Sequence, residues 1–269
     1  MPINTISNTN NIIFHNRNFN KLIIQIVRRL MCFHYALTKQ KAEIEIQLGV
    51  TWDDDWQPIY HADGFSFLQM PVITQKQPDK VQMFNWGLIP HWVKTKADAD
   101  KLKTQTLNAR SETVFEKPAF RSYIPNNRCL IIADGFFEWM DFQKKKYPHL
   151  IQMQHEKLFC FAGIYSSWVD KTTGELINSF SILTTDANPM MGKIHNLKNR
   201  MPVIVLPQLY QTWLKPDLTK EEIQTFFSPY PEQDMQNHTI SKRITSRTED
   251  SNVIETLSPF EYPELALLK

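Results

Sequence analysis

Cys129-Leu130-Ile131-Ile132-Ala133, then Asp134-Gly135, then Phe136-Phe137-Glu138-Trp139-Met140: this stretch, residues 129–140, decides the fold. The unbroken apolar run reads as a strand buried on both faces. Asp-Gly is a turn pair, and a second strand follows that carries one carboxylate among aromatics. Working outward, Leu158 to Val169 and Leu176 to Thr184 read as strands around the hairpin loop Asp170-Lys171-Thr172-Thr173-Gly174-Glu175. Phe65 to Met70, Pro71 to Thr74, the alternating Val81 to Trp86, and Met201 to Leu206 are further strands. Ser111 is placed to cap a helix running through Phe115, and Thr219 to cap one over Lys220 to Phe227 with Glu222 at the capping-box position. The tail from Ser251 is expected to drape over the surface. Strands dominate and helices are interspersed. The expected class is α+β: one domain with a mixed, largely antiparallel sheet, open or closed into a barrel, and peripheral helices.

The chain has 269 residues, enough for a real core as one domain or at most two. No apolar run approaches the ~18 residues of a membrane span. Residues 1–30 differ from the rest. They hold four arginines and lysines and no acid, with seven asparagines among isoleucines and phenylalanines. They lack the pattern of a secretory signal. They are read as an extension that is disordered, cleaved or the product of a misplaced start, with translation beginning at Met31. Residues 31–269 then carry 26 basic and 28 acidic side chains. That near-neutral body excludes a general polyanion binder, so nucleic acid must be met by a local basic groove.

Three cysteines, Cys32, Cys129 and Cys160, form no C-x-x-C pair. Zinc ribbons and dithiol redox chemistry are therefore not expected, and a sparse, odd count suits a reducing cytosol. Cys129 and Cys160 sit in apolar runs and read as core. No ligand cluster or Gly-rich phosphate loop is present among seven glycines, so neither metal nor organic cofactor is expected.

Five segments concentrate the chemistry. They are Met31-Cys32-Phe33-His34-Tyr35, Trp86-Gly87-Leu88-Ile89-Pro90-His91-Trp92, Leu107-Asn108-Ala109-Arg110-Ser111-Glu112, Ala133 to Trp139, and Ile194-His195-Asn196-Leu197-Lys198-Asn199-Arg200-Met201-Pro202. Each has an ordinary alternative. Cys32 fits a buried thiol, Glu138 a surface glutamate, Trp86 and Trp92 core residues, and Asn108-Ala109-Arg110 a capping turn. Glu112 is expected to pair with Arg110 or Arg200. A carboxyl in apolar surroundings has a raised pKa and can carry protons both ways near neutrality.

Together and in order, these segments closely resemble the SOS response-associated peptidase (SRAP) family, over essentially all of residues 31–269. The resemblance implies a protein that crosslinks to abasic sites in DNA, favouring single strands, in the cytoplasm near the nucleoid and as a monomer with no membrane. Cys32 becomes the nucleophile once everything before it is removed. Its free α-amine, of reference pKa about 7.7–8.0, condenses with the open-chain sugar aldehyde. The thiol then closes a thiazolidine. The resemblance implies that Asn108, Glu138 and His195 are catalytic. Arg110 and Arg200 would hold phosphates. Trp86, Pro90 and Phe33 would meet bases, and Thr184 or its neighbour Thr185 would line the site.

Two departures stand out. Family members often follow the cysteine with Gly-Arg, where this chain has Phe33-His34, so His34 is left to replace a phosphate contact in part. Between His195 and the Arg-Met-Pro segment four residues intervene, Asn196 to Asn199, where the family has one. A second hypothesis keeps the peptidase idea, with Cys32, His195 and Glu138 or Asn108 as nucleophile, base and orienter. A third is a non-catalytic reader of DNA ends.

Overall fold

In a computed structural model that describes residues 33–155 and 157–268, the strands follow one another as β1 (His34–Leu37), β2 (Ile59–Asp63), β3 (Gln69–Thr74), β4 (Gln77–Trp86), β5 (Asn108–Arg110), β6 (Arg128–Ala133), β7 (Gly135–Phe142), β8 (Lys145–Met153), β9 (Phe159–Val169), β10 (Leu176–Asp186), β11 (Arg200–Pro202), β12 (Ile204–Val205) and β13 (Met235–Thr239). Short helices lie between them: α1 (Lys41–Leu48), α2 (Lys96–Lys103), α3 (Pro189–Ile194), α4 (Tyr210–Trp213) and α5 (Lys220–Gln224). The expected α+β class is the one observed. No helix among the described residues is long and apolar enough to cross a membrane.

Two sheets are formed. β4 pairs with β3, β3 with β6, β6 with β9 and β9 with β10, all antiparallel, and a parallel pairing of β10 with β4 closes the ring. The interior is tight. A Cβ at Gly163, in mid-β9, would lie 2.2 Å from Ile131 Cδ1 and 2.9 Å from the Ser181 carbonyl, so only glycine lets β6 and β9 approach this closely. The second sheet is antiparallel with order β13-β8-β7-β1-β2. An aromatic seam joins the two. Phe136 and Tyr35 of the second sheet meet Phe161 at 5.9 and 5.7 Å, Tyr35 meets Trp86 at 5.0 Å, and Trp86 stacks on Phe180. Such pairs each contribute about 0.5–1.5 kcal/mol beyond the area they bury.

The chain crosses from ring to second sheet at Asp134. The Asp134-Gly135 pair is thus a crossover rather than a hairpin. The buried Asp134 carboxylate accepts the Thr38 N–H and hydroxyl, which ties the crossover to the end of β1. Burial raises its pKa against those two bonds.

Several local expectations are corrected. The strand expected from Phe65 begins only at Gln69, because the Asp63 carboxylate caps a 3₁₀ turn at Gly64–Ser66 and Phe67 turns left-handed at φ 51°. The helix expected from Ser111 is a single 3₁₀ turn, Ser111–Thr113, with Arg110 at its N-cap and no side-chain cap. The Thr219 capping box forms, but the α-helix ends at Gln224 and tightens to 3₁₀ through Phe227. Met201 to Leu206 breaks at Val203, whose N–H bonds Leu183 while its carbonyl accepts Ala162, so the strand changes partner from β10 to β9.

A histidine pair fastens β1 and β2 to the tail. His34 Nδ1 lies 2.8 Å from His61 Nε2, and His61 Nδ1 lies 2.8 Å from Ser251 Oγ. Burial, with the neighbouring His34, lowers the His61 pKa from 6.5 to about 3. The folded state therefore keeps His61 neutral, whereas the unfolded chain protonates it below about 6.5. Stability contributed at neutral pH is lost on acidification from about 6.5 towards 3. The expected loss is about 1.4 kcal/mol per pH unit. His149, whose pKa burial also lowers, acts in the same direction. Urea unfolding of parent and His61→Gln at pH 7.5, 5.5 and 4.5 should show the steeper slope in the parent. Parallel slopes would contradict the assignment.

Candidate functional site

β10 organises the site through its C-terminal half. On one edge β5 runs parallel to it, Asn108 opposite Ile182 and Arg110 opposite Thr184. On the other edge β11 runs antiparallel, Pro202 opposite Thr184 and Arg200 opposite Asp186. Asn108 is buried and Arg110 is exposed.

Arg200 crosses β10 from one edge to the other. Its guanidinium holds Glu112 through both carboxylate oxygens, donates to Asp186 at 3.0 Å and donates to the Thr184 carbonyl at 2.7 Å. Burial pushes the Glu112 pKa up, but the Arg200 bonds, its own backbone and the Arg110 charge outweigh that and hold it below the ordinary value. The expectation for Glu112 thus resolves in favour of Arg200, and Asp186 is a second carboxylate that the sequence did not suggest. Arg200, expected to hold a phosphate, is 9% exposed and makes these contacts within the protein. Arg110 is the exposed guanidinium of the two. Thr184 is buried against Arg200, while Thr185 donates to the Phe227 carbonyl, so of the two threonines Thr184 adjoins the site.

α3 delivers His195. Asn188 caps this helix by accepting the Met191 N–H, with Pro189 at its start, as the residue types allow. His195 sits at its C-cap, buried. Its Nδ1 lies 2.9 Å from the Arg200 carbonyl, which can only accept, so Nδ1 carries the proton and Nε2 is the basic nitrogen of the neutral ring. The same Nδ1 is 3.8 Å from Glu138 Oε2. Glu138 is 2% exposed at the centre of β7, opposite His149. His149, whose Nδ1 is 3.1 Å from Asn237 Oδ1, is a neighbour that sequence reasoning missed. Only the antiparallel register of β7 and β8 could have pointed to it.

Cys32 lies outside the described residues. Phe33, the residue after it, is described. β1 and β7 pair Tyr35 with Phe136 and Ala36 with Gly135. Two residues further along, the same register brings Phe33 level with Glu138. The Phe33 carbonyl accepts the Gly64 N–H, and Gly64 packs on Leu107, the neighbour of Asn108. The strand that begins just after Cys32 therefore starts level with Glu138 and beside Gly64, which packs on Leu107.

Other expected contacts fall elsewhere. Trp86 is 1% exposed, with its indole N–H on the Leu107 carbonyl and its ring between Tyr35 and Phe180. Its burial fits the core alternative, and in this segment Trp92, 48% exposed, is the tryptophan that presents a face to solvent. Pro90 is buried. The Phe33 ring is buried, edge-on to Phe65 at 5.0 Å. His34 lies against His61 and edge-on to Trp139 at 4.9 Å, inside the β1–β2 pair rather than out towards a phosphate.

Residues 31–247 match the family described as SOS response associated peptidase (SRAP). The abasic site processing protein YoqW of Bacillus subtilis is 31% identical over 226 residues, covering 82% of this chain and 97% of its own. The abasic site processing protein YoaM of the same organism is 34% identical over 199 residues, covering 73% of this chain and 84% of its own. A crystal structure of a Bacteroides thetaiotaomicron protein superimposes with a TM-score of 0.81 at 36% identity, covering 86% of this chain and all of that one.

Proposed function

Since the chain belongs to the SOS response associated peptidase family, we propose that it captures abasic sites in single-stranded DNA covalently, through Cys32 after residues 1–31 have been removed. The neutral α-amine of Cys32 adds to C1′ of the open-chain sugar. The resulting carbinolamine takes up a proton on its hydroxyl and loses it as water, leaving an imine. The Cys32 sulfur attacks the imine carbon, and the nitrogen regains a proton. The product is a thiazolidine, formed with net loss of one water. A chain still acylated at the Cys32 nitrogen cannot form the imine.

What supports this reading is that the strand following Cys32 starts level with a buried carboxylate and an imidazole 3.8 Å apart. Glu138 passes the proton that leaves with water and takes one back on ring closure. His195, with Nδ1 engaged by the Arg200 carbonyl, offers Nε2 to the sugar or to the leaving oxygen. Asn108, beside the Phe33 backbone through Leu107 and Gly64, orients the amine. Arg110 is the exposed cation for a flanking phosphate. Trp92 is an exposed face for a base, worth about 1–3 kcal/mol if it stacks.

The test is a denaturing gel of the form begun at Met31, with the methionine removed so that Cys32 is the first residue, incubated with an oligonucleotide bearing one abasic site, without a reductant. A shifted band is expected from the single strand, a weaker one from the duplex that hides the sugar, and none from Cys32→Ala. A band of equal strength from Cys32→Ala would overturn the reading.

A further inference from the structure

The longer loop between His195 and Arg200 is closed mostly upon itself. The His195 carbonyl accepts the N–H groups of Lys198 and Asn199, and the Asn199 carbonyl accepts that of Ala187. Asn199 is left-handed, with φ 52°. These bonds hold the loop to its own stem. Asn196 does something different. Its Oδ1 accepts the Asp141 N–H at 3.1 Å, and its Nδ2 donates to the Asp141 carbonyl at 2.8 Å. One amide side chain thus pairs with both backbone groups of a single residue of β7, as a neighbouring strand would. Among the described residues β1 pairs with β7 at Phe136 and Gly135, short of Asp141.

The consequence is geometric. Asn196 is the residue after His195, and Asp141 lies three residues from Glu138 on the same strand. The clasp therefore joins the segment that carries the imidazole to the strand that carries the carboxylate. Both of its bonds are at the surface, where water replaces a lost partner, so they contribute little to global stability. Their effect falls on where His195 sits, and small misplacements of a proton-transferring group are costly to rate.

We infer that Asn196 is a positioning residue, setting His195 against Glu138 through the Asp141 backbone. The inference rests on the proposed role of that pair in lesion capture. Asn196→Ala is expected to slow adduct formation about tenfold and to displace the pH profile of the rate. Thermal midpoint and affinity for single-stranded DNA should match the parent, and Asn196→Gln, which keeps an amide, should recover part of the rate. A parent-like rate and profile in Asn196→Ala, or its failure to fold, would overturn the inference. Should the parent itself make no adduct, the functional reading fails and NMR decides the matter separately. A His195 ring titration displaced in Asn196→Ala relative to the parent would uphold the positioning role, and superimposed titrations would overturn it.

Discussion

Replacing Glu138 by glutamine is expected to slow adduct formation by about 10²–10⁴-fold while leaving the fold and the affinity for single-stranded DNA unchanged. Glutamine keeps the volume and one acceptor oxygen at a site that is 2% exposed. It can neither give the proton that leaves with water from the carbinolamine nor take one back on ring closure. On the proposed reading DNA affinity rests on exposed groups such as Arg110, so binding and chemistry should separate in this variant. Single-turnover crosslinking rates together with fluorescence anisotropy check the prediction. A rate within twofold of the parent would remove Glu138 from the chemistry.

The second large effect concerns stability. Arg128, at the start of β6, is fully buried. Its guanidinium donates to the carbonyls of Trp213, Ile124, Pro125 and Lys215, and among the described residues no carboxylate pairs with it. Burial lowers its pKa to about 10, which leaves it charged at neutral pH. These carbonyls end the irregular segment after β5 and the short helix α4, so one side chain completes two buried and two partly buried backbone groups. Arg128→Met would fill much of the space and satisfy none of them. A loss of about 3–5 kcal/mol is expected, since each buried group left unpaired costs about 1–3 kcal/mol and some are partly wet. The thermal midpoint should fall by about 10 °C. A fall of less than 2 °C would contradict the account of Arg128.

How much of this was legible in the sequence differs from element to element. β6, β9 and β10 are evident because their apolar runs are long and a six-residue turn segment separates the last two. The closure of the ring is not, because the β10–β4 pairing joins strands far apart in sequence and in parallel, and no local pattern records a partner. Trp86 illustrates a second limit. A tryptophan in an alternating strand can face either way, and only the seam with Tyr35 and Phe180 shows which. Glu138 and His195 stand out by the segments around them, yet their 3.8 Å approach depends on α3 packing against β7. Arg200 was read as a phosphate ligand because its type suits one. Of its partners, Glu112 is the one the sequence offered, shared there with Arg110, whereas Asp186 comes from β10 and only the fold brings it in. The loop that lengthens the His195 segment was visible as a departure. Its anchoring by Asn196 was not, since an asparagine in a loop has many backbone groups within reach.

The central claim is that Cys32, with both amine and thiol free, forms the bond to the lesion. It is tested most directly by intact-mass spectrometry of two proteins, the 269-residue chain and a form begun at Met31 with the methionine removed, each incubated with an abasic single-stranded oligonucleotide. The account predicts that the shorter form gains the mass of the oligonucleotide less one water. The full chain should gain nothing unless it is first cleaved before Cys32, and that cleavage would appear in the same spectrum. A full chain that forms the adduct with residues 1–31 intact would contradict the account. So would a shorter form that forms none, and that outcome would move a cysteine hydrolase to the front.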